Sequence, residues 1–210
     1  MLDKTVPYAG LFMRREAGVQ TAAYPLPDGY RFAFYNDGDE ISWARLEASV
    51  LEFDNEFAAL MHFKENFAQD VDELRRRCLF IENSDGMKIA TSTAWWRHIG
   101  DERRPWLHWV AVDPQYQGLG LGKAIVSRVV DLMIELEGDA DFFLGTQTWS
   151  YKAINIYMAH GFQPTQEKKL YTDRRNNYKK AMRILRKLTK RRESDDRRST
   201  ISMLTPRSDC

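Results

Sequence analysis

Gln117-Gly118-Leu119-Gly120-Leu121-Gly122-Lys123-Ala124 is the stretch on which the reading of the fold turns. It follows an apolar run, Trp106 to Val112, that reads as a strand stopped by Asp113-Pro114. It precedes a helix predicted from Lys123 to about Glu137, in which Ile125, Val129, Leu132 and Leu136 form one stripe widened by Val126, Val130 and Met133. Three glycines between strand and helix remove side chains, permit positive φ and let anionic oxygens approach the main chain. Amides at the start of the helix then face the anion, helped by the helix dipole. This arrangement implies a phosphate or pyrophosphate ligand.

Spacing narrows the ligand. A Walker A loop requires Gly where Gln117 stands and Ser or Thr where Ala124 stands, so it fails twice. A dinucleotide fingerprint requires Gly-x-Gly-x-x-Gly, whereas this loop is Gly-x-Gly-x-Gly, with no convincing acidic ribose reader downstream. A glycine-rich turn without a ligand is the structural alternative, but three glycines in five residues cost backbone entropy with no evident folding gain.

The loop resembles the pyrophosphate loop of the GNAT N-acetyltransferase superfamily, Q/R-x-x-G-x-G/A, through Gln117, Gly120 and Gly122 after the lead-in Val110-Ala111-Val112-Asp113-Pro114. The resemblance implies that the main chain of Gln117, Gly118, Leu119, Gly120, Leu121, Gly122 and Lys123 binds the pyrophosphate of acetyl-CoA. It also implies that the backbone of Val110, Ala111 and Val112 pairs with the pantetheine arm like an added strand. Downstream, Ala153-Ile154-x-Ile156-Tyr157-x-x-x-Gly161-Phe162 resembles the second family element, N-x-x-A-x-x-x-Y-x-x-x-G-F, with Ser150 in place of the family Asn. Helical spacing puts Ala153 and Tyr157 on one face, where Ser150 and Ala153 would border the coenzyme. Taken alone, Tyr157 reads as an amphipathic core residue; paired with the glycine loop it becomes a candidate at the sulfur.

The resemblance covers about Tyr30 to Phe162. It implies an α/β (α+β) fold with a mixed central sheet flanked by helices, and an N-acetyltransferase whose amine acceptor attacks directly in a ternary complex. Tyr157 is then the general acid for the departing thiolate, and a backbone amide near Val110 polarises the carbonyl. Trp106, His108, Val110 and Val112 are expected on one strand face. His108 stands where several family members carry a His or Glu, and an imidazole suits proton removal near neutrality. A hydrogen-bonded structural histidine is the alternative. Glu47 and Glu52, on the segment that borders the acceptor in the family, are alternate bases or attract the ammonium group. Two other classes are weighed. One is a non-catalytic CoA-binding module of the same fold. The other is a nucleic-acid binder using Lys179 to Arg192, whose aromatic support is only Tyr171 and Tyr178.

The rest of the chain reads as follows. A short strand is expected around Leu11 to Arg14, a turn over Pro25-Leu26-Pro27-Asp28-Gly29 and a strand over Tyr30 to Tyr35. Two helices follow, one from near Ile41 with Trp43, Leu46 and Val50 inward, the other with Phe57, Leu60, Met61 and Phe67 inward. Leu79–Glu82 and Met87–Trp96 read as a hairpin, and a polar loop runs from there to Pro105. Asp141–Trp149 reads as a strand, and Ser150 as the N-cap of a short helix ending at Gly161. A strand then opens at Phe162. A basic helix is expected over 176–192, with Met182, Leu185 and Leu188 inward. Residues 1–24 read as an N-terminal extension, 25–192 as the domain, and 193–210 as a tail with little core-forming capacity.

Composition agrees with a globular protein: 43% hydrophobic and 29% charged in 210 residues. No signal-peptide pattern and no run long enough to span a bilayer stand in the sequence, so a cytoplasmic location is expected, without a membrane partner. Cys78 and Cys210 give no disulfide framework, and the four histidines have no second ligand at metal spacing, so no metal is expected. Residues 163–210 carry 15 Lys/Arg against 6 Asp/Glu, while 1–162 carry 16 against 24. An acidic body suits a cationic acceptor, although a solvated surface explains the same imbalance. A homodimer is left open.

Overall fold

The arginine-rich stretch before Pro105, expected as a loop, is the outer part of a long hairpin. In the computed structural model, which describes residues 1–167 and 176–189, strand β4 (Lys88–Ile99) pairs antiparallel with β5 (Glu102–Val112) as far as Ile99↔Glu102. The arginines hold this extension because their planar heads stack on aromatic faces. Arg103 lies 4.5 Å from the Trp96 ring centroid, Arg104 5.2 Å from Phe143 and Arg97 5.9 Å from Trp106. Arg103 and Arg77 also share the Glu137 carboxylate.

The other strands are β1 (Gly10–Arg15), β2 (Arg31–Phe34), β3 (Cys78–Glu82), β6 (Phe142–Gln147) and β7 (Gln163–Pro164). The sheet order is β2-β3-β4-β5-β6-β1-β7. Within it β5 and β6 run parallel, and the other paired neighbours run antiparallel. Residues 10–15, in the segment read as an extension, thus supply an interior strand, with Leu11, Phe12 and Met13 buried.

Helices α1 (Glu40–Ser49), α2 (Glu56–Phe67) and α3 (Val71–Arg77) cover one face. Their core gathers Trp43, Leu46, Phe63, Phe67 and Leu74 over Cys78, Phe80 and Trp95. In α2 the inward residues are Ala59, Phe63 and Phe67, and Phe57 is 71% exposed. The expected phase of α2 is corrected, since the turn at 50–55 restarts the helical period. On the opposite face lies α4 (Leu121–Glu137), starting two residues earlier than expected. Its Ile125, Val126, Val129, Val130 and Met133 are fully buried. Each contributes about 1.5–3 kcal/mol of burial.

Two further corrections concern helix ends. β6 stops at Gln147, because Thr148–Ser150 winds into a 3₁₀ turn. Thr148 Oγ1 accepts from the Ala9 N–H, and Trp149 Nε1 donates to the Val6 carbonyl. That turn takes Ser150 out of the extended conformation a side-chain cap needs, so it stands before α5 (Tyr151–Ala159) with no cap bond. Gly161, at φ +87, closes α5 as expected. Helix α6, over 178–189, packs through Tyr178, Ala181, Ile184 and Leu185 rather than through Met182 and Leu188. Residues 190–192 of the expected helix and the expected tail, 193–210, lie outside the described residues.

The expectation that Trp106, His108, Val110 and Val112 share a face is overturned by a bulge. Thr93 pairs with His108 but Thr91 with Ala111, so the register shifts at Trp109, whose φ is +51. His108 therefore faces the α1–α2 side with Thr93 and Cys78, whereas Val110 and Val112 pack toward α4.

Candidate functional site

Among the described residues β5 and β6 pair only at Trp106↔Phe143. Beyond that point a cleft of about 520 Å³ opens between them, lined by Leu107 to Val110 and Val112 on one side and Leu144 to Gln147 on the other. Parallel strands that part leave main-chain groups without a ladder partner, and an extended ligand can supply one.

The glycine loop forms one end. Gly120 occupies the N-cap of α4 at φ +84, a left-handed conformation that glycine adopts at little cost. Its carbonyl accepts from the N–H groups of Lys123 and Ala124 at 3.0 and 3.1 Å. The first-turn amides of Leu121 and Gly122 have no intrahelical acceptor by helix geometry, and both residues line the cleft. Gly122 serves close approach: a Cβ there would lie 3.1 Å from Ile156 Cδ1 of α5. Gln117 has a structural task as well, its Nε2 donating to the Val112 carbonyl at 3.0 Å and tying the loop to the strand end. Gly118, Lys123, Ser150 and Ala153 line the same end. Of the residues expected to touch the coenzyme, Leu119 sits half exposed at the loop tip and Ala111 is buried in the aromatic core, and neither lines the cleft.

Tyr157 and His108 both line the cleft and both are buried. Burial, and then the negative charges of Glu52 and Glu47, push the Tyr157 phenol well above its ordinary range. It stays protonated through neutral pH and is equipped to donate. Cys78 is no rival nucleophile: burial pushes its thiol up to about 12.

The other end carries carboxylates and rings. Glu47 on α1 is 1% exposed, lines the cleft, and has a buried Oε1 with no hydrogen-bond partner. Burial, then the charge of Glu52, raise its pKa well above the usual carboxylate range. Glu52 accepts from Gln147 Nε2 at 3.0 Å. Trp109 is wedged edge-on to Trp43 and stacked on Phe53, each with centroids 5.4 Å apart. The Leu2 N–H bonds to the Val50 carbonyl and the Asp3 N–H to that of Trp149, so the first residues join α1 to the start of α5 beside this end. Sequence reasoning missed Arg97, Phe12, Tyr116, Trp109 and Leu2 as lining residues. Arg97 falls in the stretch read as a loop, and a left-handed tryptophan leaves no local signal. Among the described residues no group of three or more His, Cys, Asp or Glu could hold a metal ion. No helix among them is long and apolar enough to cross a membrane.

Comparison with known proteins agrees with this fold. The acetyltransferase (GNAT) family model matches residues 21–162. The mouse (Mus musculus) thialysine N-epsilon-acetyltransferase is 34% identical over 65 residues, 31% of this chain and 38% of that protein. A GCN5-related N-acetyltransferase from Sphaerobacter thermophilus superposes with a TM-score of 0.59 at 17% identity, over 76% of this chain and 49% of that one. A GNAT acetyltransferase from Colwellia psychrerythraea gives 0.54 at 11%, over 76% and 54%. At such identities the structural likeness shows the fold alone. The chain spans about half the length of these solved proteins and 38% of the mouse relative.

Proposed function

The chain belongs to the acetyltransferase (GNAT) family, and on that premise we propose that it moves an acetyl group from acetyl-CoA to a primary amine by direct attack in a ternary complex. The observation that supports this best is that one cleft holds the glycine-loop end, Tyr157, His108 and the two carboxylates together. The residues present fit the coenzyme: a helix-start anion site, an open strand edge, and glycines at 118 and 120 beside open space. Acetyl-CoA supplies the acetyl group as a thioester. The amides of the Gln117–Lys123 loop hold its pyrophosphate, and the backbone at Val110 and Val112 orients its extended arm. Tyr157 donates its proton to the departing sulfur. His108 removes a proton from the amine, directly or through water, while the charge of Glu52 draws the ammonium form into the cleft and the buried Glu47 carboxyl lines the acceptor's path. The mouse relative's name specifies an epsilon amine, which suits an alkyl amine acceptor.

The test is a panel of primary amines mixed with protein and acetyl-CoA, reading free thiol and N-acetyl product. Amine-dependent release of both is expected. Coenzyme binding without amine-dependent release in any mixture would leave only a CoA-binding module.

A further inference from the structure

We propose that Leu2 gauges the acceptor: its side chain closes the acceptor end of the cleft and sets how long an apolar arm behind the amine can be. The inference rests on the acetyl-transfer reading and adds a residue that selects among acceptors. Leu2 is only 8% exposed, yet it joins none of the apolar cores among the described residues. It lines the cleft instead, together with Glu47 and Val50 of the α1 end. An apolar side chain placed in this way presents a water-excluding wall, which an apolar stretch of ligand can bury itself against.

The segment that carries Leu2 is held on two sides. The Leu2 N–H donates to the Val50 carbonyl after α1, and the Asp3 N–H to the Trp149 carbonyl before α5, each at 3.0 Å. Asp3 Oδ1 then accepts from the Thr5 N–H at 3.1 Å, which turns the chain. Further on, Trp149 Nε1 donates to the Val6 carbonyl at 2.6 Å, and its ring stands edge-on to Tyr8 with centroids 4.9 Å apart. None of these contacts uses the Leu2 side chain, so a substitution there changes the wall and leaves the segment seated. The reacting nitrogen has to lie beside Tyr157 and His108, which line the same cleft. From there the acceptor's arm runs toward α1. Each further methylene gains burial until the arm meets Leu2, and the next one overfills a packed wall.

The experiment measures kcat/KM for unbranched primary amines from ethylamine to octylamine at fixed acetyl-CoA, in wild type, Leu2→Ala and Leu2→Phe. For wild type the value should climb about fourfold per added methylene, the scale of one buried methylene, and fall sharply past one length. Leu2→Ala should move that optimum about two methylenes longer, into the space of the isopropyl group it removes. Leu2→Phe should move it shorter. A shifted optimum is a result that a merely structural role for Leu2 does not produce. A uniform loss across the series in Leu2→Ala, with the optimum unmoved, overturns the inference while leaving acetyl transfer intact. So does a wild-type series with no length limit. Amine-dependent release from no member of the series overturns the inference; if the wider panel also gives none, the acetyl-transfer reading falls with it.

Discussion

The two ends of the cleft are built differently. The end proposed for the coenzyme comes from two contiguous segments, Gln117–Lys123 and Ser150–Tyr157, and is shaped largely by backbone conformation. The end proposed for the acceptor draws Leu2, Glu47, Glu52, Arg97, Trp109 and Gln147 from separate parts of the chain, and is shaped by side chains. A main-chain anion site constrains which residues are small, so it leaves a pattern in the sequence. A side-chain pocket constrains only what meets in space. Substitutions at the first end should therefore have the larger effects, and those at the second the smaller.

The largest effect is expected at the coenzyme end. Gly120→Glu puts a negative charge at the N-terminus of α4 and should abolish both acetyl-CoA binding and turnover. The left-handed φ adds about 1–2 kcal/mol of strain for any L-residue there. Gly120→Ala carries that strain without the charge and should keep most of the affinity. Calorimetry showing unchanged binding in Gly120→Glu would contradict a pyrophosphate at this loop.

Between the two ends, Tyr157→Phe keeps the ring packing and removes the proton donor. Turnover should fall about 10² to 10⁴-fold with acetyl-CoA affinity little changed. His108→Ala should lower the rate and remove the acidic limb of the pH profile. If the limb survives, a carboxylate such as Glu47 takes the base role.

How much was legible follows the same division. The glycine loop between strand and helix, the stripe of α4, the Gly161 stop and the helix that carries Tyr157 were all readable, because each rests on residues close in sequence. The extended hairpin was not, since Arg97, Arg103 and Arg104 owe their strand to tryptophan and phenylalanine faces brought from elsewhere. The bulge at Trp109, which turns His108 and Val110 to opposite sides, also escaped a strict two-residue alternation. Glu47 and Glu52 were named through the family resemblance, but nothing local marks Glu47 as buried.

A moderate effect is expected at the acceptor end. Burial raises the Glu47 pKa, so the folded state holds a proton that the unfolded state releases. The resulting penalty is absent below the ordinary carboxylate value of 4.5 and grows as pH rises toward the folded pKa. Glu47→Gln should remove it, raising Tm by roughly 2–4 °C per kcal/mol regained at pH 8 and by nothing near pH 4, while impairing amine use. Scanning calorimetry at the two pH values reads this directly, and a stability loss at pH 8 would show that Glu47 is paired and structural.

The smallest effect is expected outside both ends. Truncation after Arg192 removes a segment with neither motif nor core pattern. Turnover should stay within about twofold, under roughly 0.5 kcal/mol of barrier. A larger loss would assign the tail a place at the site.

Coenzyme and amine are proposed to occupy the one cleft together and to react without a covalent enzyme intermediate. Initial velocities measured while acetyl-CoA and the best acceptor are both varied test it most directly. Double-reciprocal lines that intersect are the predicted result; parallel lines, with acetyl-enzyme recovered by mass spectrometry before amine is added, would contradict it.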